Sequence, residues 1–166
     1  MTDMPLEPKK GRTERAHVKI EVNLVLFATA FTIFTFIGVA HPELLQSSSA
    51  LSLQLTVAIP LIGGSTFARS KLVTYERDAD AWERYGFLTF LLGYSFLVNS
   101  VGIMLALFTR PNIAIAFFIL NFVLAITYSV MEVAGGDDTI WSRASKDSLF
   151  IAICVIGGIL PVLGIL

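Results

Sequence analysis

Side chains that perform chemistry are scarce in this sequence. The 166 residues include one cysteine and two histidines. A single cysteine, Cys154, excludes a disulfide within the chain. His17 and His41 lie at opposite ends of the first apolar segment, so they cannot act together as ligands of a haem or a metal ion. We therefore expect neither a metal site nor a haem site.

Catalytic sequence motifs are lacking too. The chain contains no HExxH, CxxC or GxSxG motif, no P-loop and no dinucleotide fingerprint. We predict that the protein is not an enzyme and has no cofactor. It also has no internal repeat, which disfavours a transporter built from two inverted halves.

Charged residues make up only 15% of the chain, and the formal net charge is −1. This balance gives no basis for binding a nucleic acid. Hydrophobic residues make up 55%, and the mean hydropathy is +0.74. The composition is therefore too apolar for an ordinary soluble domain and predicts a lipid bilayer as the main partner.

The apolar residues form five runs that are long enough to cross a membrane. These are residues 20–40, 51–68, 86–108, 113–134 and 149–166. The predicted fold is an all-α bundle of five transmembrane helices, in which residues 1–19 are a tail and 20–166 a single membrane domain. Because the last run is short, the alternative is four spans followed by a re-entrant C-terminal segment.

The distribution of lysine and arginine predicts the orientation of the chain, since these residues accumulate in cytoplasmic loops. Every Lys and Arg except Arg110 falls in the tail, in an elbow at 69–85 or in a loop at 135–148. All three segments lie on one side of the predicted bilayer. We assign the protein to the plasma (inner) membrane, with its N-terminus in the cytoplasm and its C-terminus outside.

The elbow has many charges and neither glycine nor proline, so helices can continue into it. Its charges suit a solvated segment, but four of its residues are also a candidate docking surface for a partner protein. These are Tyr75, Arg77, Asp78 and Trp82.

Asp80 and Glu83 have the spacing of a capping box, in which each side chain satisfies a backbone amide at a helix start. This pattern predicts that the helix of the third span begins at Ala81 and continues to Phe108.

Six polar residues within the runs are candidates for lining a pathway or for joining helices. They are Thr29, Thr32, Thr35, Asn99, Asn121 and Glu132. Threonine hydroxyls can bond to the carbonyl one turn earlier, so packing is their simplest role. Asn99 and Asn121 each lie near the middle of an apolar run, and the two runs are antiparallel neighbours, so we expect a hydrogen bond between the two side chains. Glu132 lies at a helix end, where we expect it to pair with Arg84 or Arg143.

Pro60, Gly63 and Gly64 are a candidate hinge in the second run, because proline removes a backbone donor and glycines allow close approach or unwinding. Three interpretations of this segment remain open: a hinge, an unwound ion site, or close packing of neighbouring helices. Asp137 and Asp138 follow Glu132 closely in the sequence, but these carboxylates are too few for a well-formed divalent cation site.

Two functions suit these features. The first is a non-enzymatic oligomeric pore or ion channel, whose pathway is lined by the six polar residues. The alternative is an accessory, scaffold or sensor subunit of a membrane complex, which docks its partner through the elbow. A small transporter is less favoured than either. So small a bundle has little interior of its own, and we therefore expect a homo-oligomer or a subunit of a larger complex.

Overall fold

The computed structural model describes residues 9–74, 79–135 and 139–165. Within these ranges the chain is helical and contains no β-strand. The elements are α1 (Lys9–Ala40), α2 (Pro42–Ser47), α3 (Ser49–Thr74), α4 (Ala79–Phe108), α5 (Pro111–Ala134), α6 (Ile140–Cys154), a π-helical turn (Val155–Ile159) and α7 (Leu160–Val162). The predicted all-α bundle is confirmed.

Five of the described segments are long and apolar enough to cross a membrane. In hydrocarbon a chain must satisfy its backbone hydrogen bonds internally, and a helix does so within one segment. The last span begins at Ile140, well before the predicted start at 149, and runs through the π-helical turn to Val162, a length of 23 residues. At ~1.5 Å per residue it covers roughly 34 Å, enough for a ~30 Å core. The fifth helix therefore has the length of a full span.

Several helix ends differ from their predicted positions. Asp80 lies in the first turn of α4 and not before it, so the predicted capping box and the start at Ala81 are wrong. The start of α6 at Ile140 also shortens the predicted loop at 135–148. There Thr139 is the N-cap, and its side chain accepts a hydrogen bond from Ser142 N at 3.3 Å.

The connection between α1 and α3 folds into the short helix α2, which begins with Pro42. Proline suits the first turn of a helix, where its missing N–H would have no partner. A backbone hydrogen bond lowers the pKa of Glu43, and a hydrogen bond with His41 lowers it further. Ser48 then caps α3 by accepting from Leu51 N at 3.3 Å.

Helix α4 is the centre of the bundle. Its largest interface is with α3, so the hairpin of these two helices is the framework of the fold. Helix α1 packs on α3, while α5 and α6 pack on α4 and on each other. Helix α3 continues without interruption through Pro60, Gly63 and Gly64, which remain a predicted hinge.

Candidate functional site

Two buried amide side chains form a network in the middle of the bundle. Asn99 on α4 is fully buried and donates to Gln54 Oε1 at 3.2 Å and to the carbonyl oxygen of Ile153 at 3.3 Å. Gln54 on α3 donates to the carbonyl oxygen of Gly157 at 3.0 Å. The carbonyls belong to the π-helical turn and the turn before it, where the wider spacing disrupts the regular i to i−4 ladder. The network joins three helices.

A second buried chain of hydrogen bonds joins α1, α3 and α4. Asn23 Nδ2 donates to Ser65 Oγ at 2.9 Å, and Ser65 Oγ donates to the carbonyl oxygen of Gly86 at 2.7 Å. Both side chains are buried. Buried polar groups of this kind require partners, and here each helix supplies one to the next.

One end of the bundle holds most of the charge. We call it the basic end: here α3 and α5 end, and α4 and α6 begin. A cavity of about 580 Å³ opens there between α1 on one side and α5 and α6 on the other, over a face of α4. Its lining combines charged, aromatic and aliphatic side chains. The charged ones are Lys19, Arg69, Glu83, Arg84, Glu132, Arg143 and Lys146.

The cavity is electropositive. Five basic and two acidic side chains line it, which leaves an excess of three positive charges. Lys19 Nζ lies 3.9 Å from Glu83 Oε1, and Lys146 Nζ lies 5.1 Å from the centre of the Phe87 ring. Coulomb interactions are stronger in this partly buried setting than in open water. The lining therefore favours an anion.

Arg69 is the most deeply placed of these charges. Its side chain is only 5% exposed, and its Nε finds no hydrogen-bond partner among the described residues. Burial of a guanidinium is costly unless partners satisfy its donors. Gly86 on the facing helix lies beside it, since a Cβ at Gly86 would be in ordinary van der Waals contact with Arg69 Nε, at 3.5 Å.

The opposite wall of the cavity is held by an ion pair. Arg143 on α6 pairs with Glu132 on α5, and the hydroxyl of Tyr128 donates to the same carboxylate. The Arg143 guanidinium also lies 5.9 Å from the centre of the Tyr128 ring. Of the two partners predicted for Glu132, Arg143 is confirmed.

The structure distributes the six candidate pathway residues over different places. Thr29, Thr32 and Thr35 are exposed on α1, and Thr29 Oγ1 bonds to the carbonyl oxygen of Val25 at 2.8 Å. Asn99 bonds across helices as described, while Asn121 donates to the carbonyl oxygen of Phe117 in its own helix at 2.9 Å. The expected bond between the two asparagines is thus replaced by other partners.

Of the candidate docking elbow, Tyr75, Arg77 and Asp78 lie outside the described residues. Trp82 is 36% exposed in the first turns of α4 and meets Tyr85 edge to face, with ring centroids 6.3 Å apart. Asp137 and Asp138 also lie outside the described part. Within that part, no three His, Cys, Asp or Glu side chains come together as a metal site.

Arg69 was not predicted as a site residue, because its charge placed it with the solvated residues of the elbow. A periodic signal was present. Leu55, Ala58, Ile62, Ser65 and Arg69 follow one another at steps of three and four, which is a single helical face. All five are buried against the bundle.

The fold and the cavity together define a class: this is a multi-pass α-helical membrane protein with an electropositive cavity at one end. None of the protein-family models, curated proteins or solved structures compared with this chain matches it.

Proposed function

We propose that this protein is a non-enzymatic membrane protein that binds an anionic group in the basic-end cavity. The observation that carries the proposal is Arg69, a buried guanidinium at the cavity wall whose Nε lacks a hydrogen-bond partner among the described residues. A bound phosphate or carboxylate would supply both the missing acceptor and the compensating charge.

The size and shape of the cavity support this proposal. Small-molecule sites usually enclose about 300–1,000 Å³, and this cavity lies within that range at about 580 Å³. Its polar groups come from several helices and converge on one space, while Phe87 and Phe90 form apolar parts of its wall. Such a combination fixes both the charge and the orientation of a ligand.

Replacement of Arg69 tests this function. With inorganic phosphate as the probe, we expect Arg69→Gln to raise the dissociation constant about tenfold, because a charge-assisted hydrogen bond in a partly buried site is lost. Arg69→Lys keeps the charge but not the planar fork and should give an intermediate value. Isothermal titration of the purified protein in detergent measures the constants.

Arg110→Gln is the matched control, because Arg110 is exposed at the opposite end of the bundle. It should leave phosphate binding unchanged. High salt should weaken binding in the native protein by screening the cavity charges. Equal phosphate binding by Arg69→Gln and the native protein would contradict the proposal, as would the absence of saturable binding.

A second function is an oligomeric pore lined by α1, and one observation favours it. Thr29, Thr32 and Thr35 are all exposed, and most of the apolar part of α1 is unburied. A second copy could therefore contact this helix. The buried network around Asn99 does not favour a pathway through one copy, because its side chains are used in joining helices.

Ion flux through liposomes tests the pore. We expect Thr32→Val to change the flux several-fold, because a methyl group would replace a hydroxyl facing the pathway. Thr127→Val is the control, since Thr127 is also exposed but lies on α5. Flux should scale with an oligomer whose mass is measured in the same preparation. Identical flux from the native protein and Thr32→Val would count against the pore.

An accessory or sensor subunit that docks through the elbow remains a prediction, as do the homo-oligomer and membership of a larger complex. We also propose that the basic end faces the cytoplasm at the plasma membrane. The lysines and arginines gathered at that end support this orientation.

A further inference from the structure

We propose that the anionic group is the headgroup of a phospholipid, drawn from the leaflet at the basic end, whose acyl chain lies in a groove between α4, α5 and α6. This inference rests on the proposed anion-binding function and names the class of ligand. It commits to a membrane lipid as the source of the anion and not to a free phosphate.

The first argument is a second cavity that adjoins the first. It has a volume of about 320 Å³ and shares four lining residues with the basic-end cavity. The shared residues are Phe87, Tyr128, Arg143 and Lys146. The two cavities are therefore adjacent, and these four side chains lie where they meet.

The two cavities differ in chemistry. The second cavity is walled largely by apolar and aromatic side chains, among them Leu91, Tyr94, Leu124 and Phe150. One carboxylate lines it, that of Asp147, which accepts a hydrogen bond from Ser129 Oγ at 2.9 Å. A charged chamber joined to an apolar groove matches an anionic headgroup joined to a hydrocarbon chain.

The second argument is the direction in which the groove opens. Leu124 and Tyr128 lie on its rim, and each is 59% exposed on the outer face of α5. This face of a membrane-spanning helix meets lipid, so a lipid could enter sideways from the bilayer. A lateral opening gives a membrane lipid an advantage over a soluble anion.

The length of the groove supports the same occupant. Phe87, Leu91 and Tyr94 lie along one side of α4 and all line the second cavity. From Phe87 to Tyr94 the helix rises roughly 10 Å toward the centre of the span. The groove can therefore hold the part of an acyl chain that lies nearest the headgroup, while the headgroup of the same lipid remains at Arg69 and Arg143.

Lipid retention by the purified full-length protein tests the inference. Native mass spectrometry would compare phosphatidylglycerol, which is anionic, with zwitterionic phosphatidylcholine at equal concentrations. We expect phosphatidylglycerol to be retained at least about fivefold better, the factor that one basic residue gives near an anionic lipid. Dihexanoyl phosphatidylglycerol should be retained less than the long-chain lipid, because the groove would be only partly filled.

Variants of the groove separate the lipid inference from the anion-binding function. Ala125 lines the second cavity, and Ala125→Phe should lower the retention of long-chain phosphatidylglycerol several-fold while leaving phosphate affinity unchanged. Unchanged phosphate affinity also shows that the variant has folded. Ala116→Phe is the control, because Ala116 is exposed elsewhere on α5 and should leave both readouts unchanged.

Two results would overturn the lipid inference alone. One is equal retention of the two phospholipids by a protein that binds phosphate in an Arg69-dependent way. The other is unchanged phosphatidylglycerol retention in Ala125→Phe. If Arg69→Gln alters neither phosphate binding nor phosphatidylglycerol retention, the anion-binding function itself fails, and the lipid inference fails with it.

Discussion

Gly102→Ala is expected to destabilise the protein by about 2–3 kcal/mol, within the cost of overpacking a well-filled core. A Cβ at Gly102 would lie 2.3 Å from Phe118 Cζ on the neighbouring helix α5. The Phe118 ring is fully buried, and a Cβ at Gly158 would also lie within 2.4 Å of the same atom. Because the ring tip is packed against glycines of two elements and the ring also contacts Phe117 and Phe122, it has little space into which it can move.

Unfolding in mixed micelles, followed by helical circular dichroism, measures this loss. Gly38→Ala is the control, because its added methyl would meet only Leu45 Cδ1, at an ordinary 3.8 Å. Phe118→Leu removes the tip of the ring and should partly rescue Gly102→Ala, with a coupling energy of about 1 kcal/mol. Strictly additive effects of the two substitutions would show that the predicted collision does not govern stability.

Asn99→Leu is the substitution with the second large expected effect: it should lower the free energy of unfolding by about 2 kcal/mol. The substitution removes two hydrogen bonds that cross between helices. It leaves Gln54 Oε1 and the carbonyl oxygen of Ile153 without their donor. Because Asn99 is fully buried, water cannot readily replace the amide, and the unpaired acceptors carry much of the cost.

The double variant Gln54→Leu with Asn99→Leu distinguishes this explanation from simple loss of packing. It removes one of the stranded acceptors, so its destabilisation should be smaller than the sum of the two single changes. Asn121→Leu is the control, since Asn121 bonds only within its own helix among the described contacts, and it should cost less than Asn99→Leu. An equal loss from Asn121→Leu would contradict a special role for the buried network.

The partner of Asn99 shows the limit of reasoning from one segment at a time. An asparagine in hydrocarbon must find a partner, and this much follows from the residue type alone. Mid-run position suggested Asn121, but rotation of α4 about its axis presents Asn99 to α3 and α6 instead. That rotation follows from how neighbouring side chains pack, including Phe118 against Gly102, and no single run encodes it.

For Arg69 the sequence contains two patterns with opposite implications. Its charge and its place beyond an apolar run indicated a solvated elbow, yet its spacing from Ser65 and Ile62 continued the buried face of α3. Neither pattern shows that the guanidinium lies beside Gly86 of the facing helix. Only the pairing of α3 with α4 could reveal the cavity wall.

The sequence by itself determined the membrane class, the five spans and the concentration of basic residues at one end. These follow from local properties. In hydrocarbon each segment must satisfy its own backbone hydrogen bonds, and charged side chains remain near water. The tertiary structure decided which polar groups meet, where the fifth helix widens into a π-helical turn and how the basic side chains enclose a cavity. These depend on helix rotation and close packing between residues far apart in the chain, which no local pattern specifies.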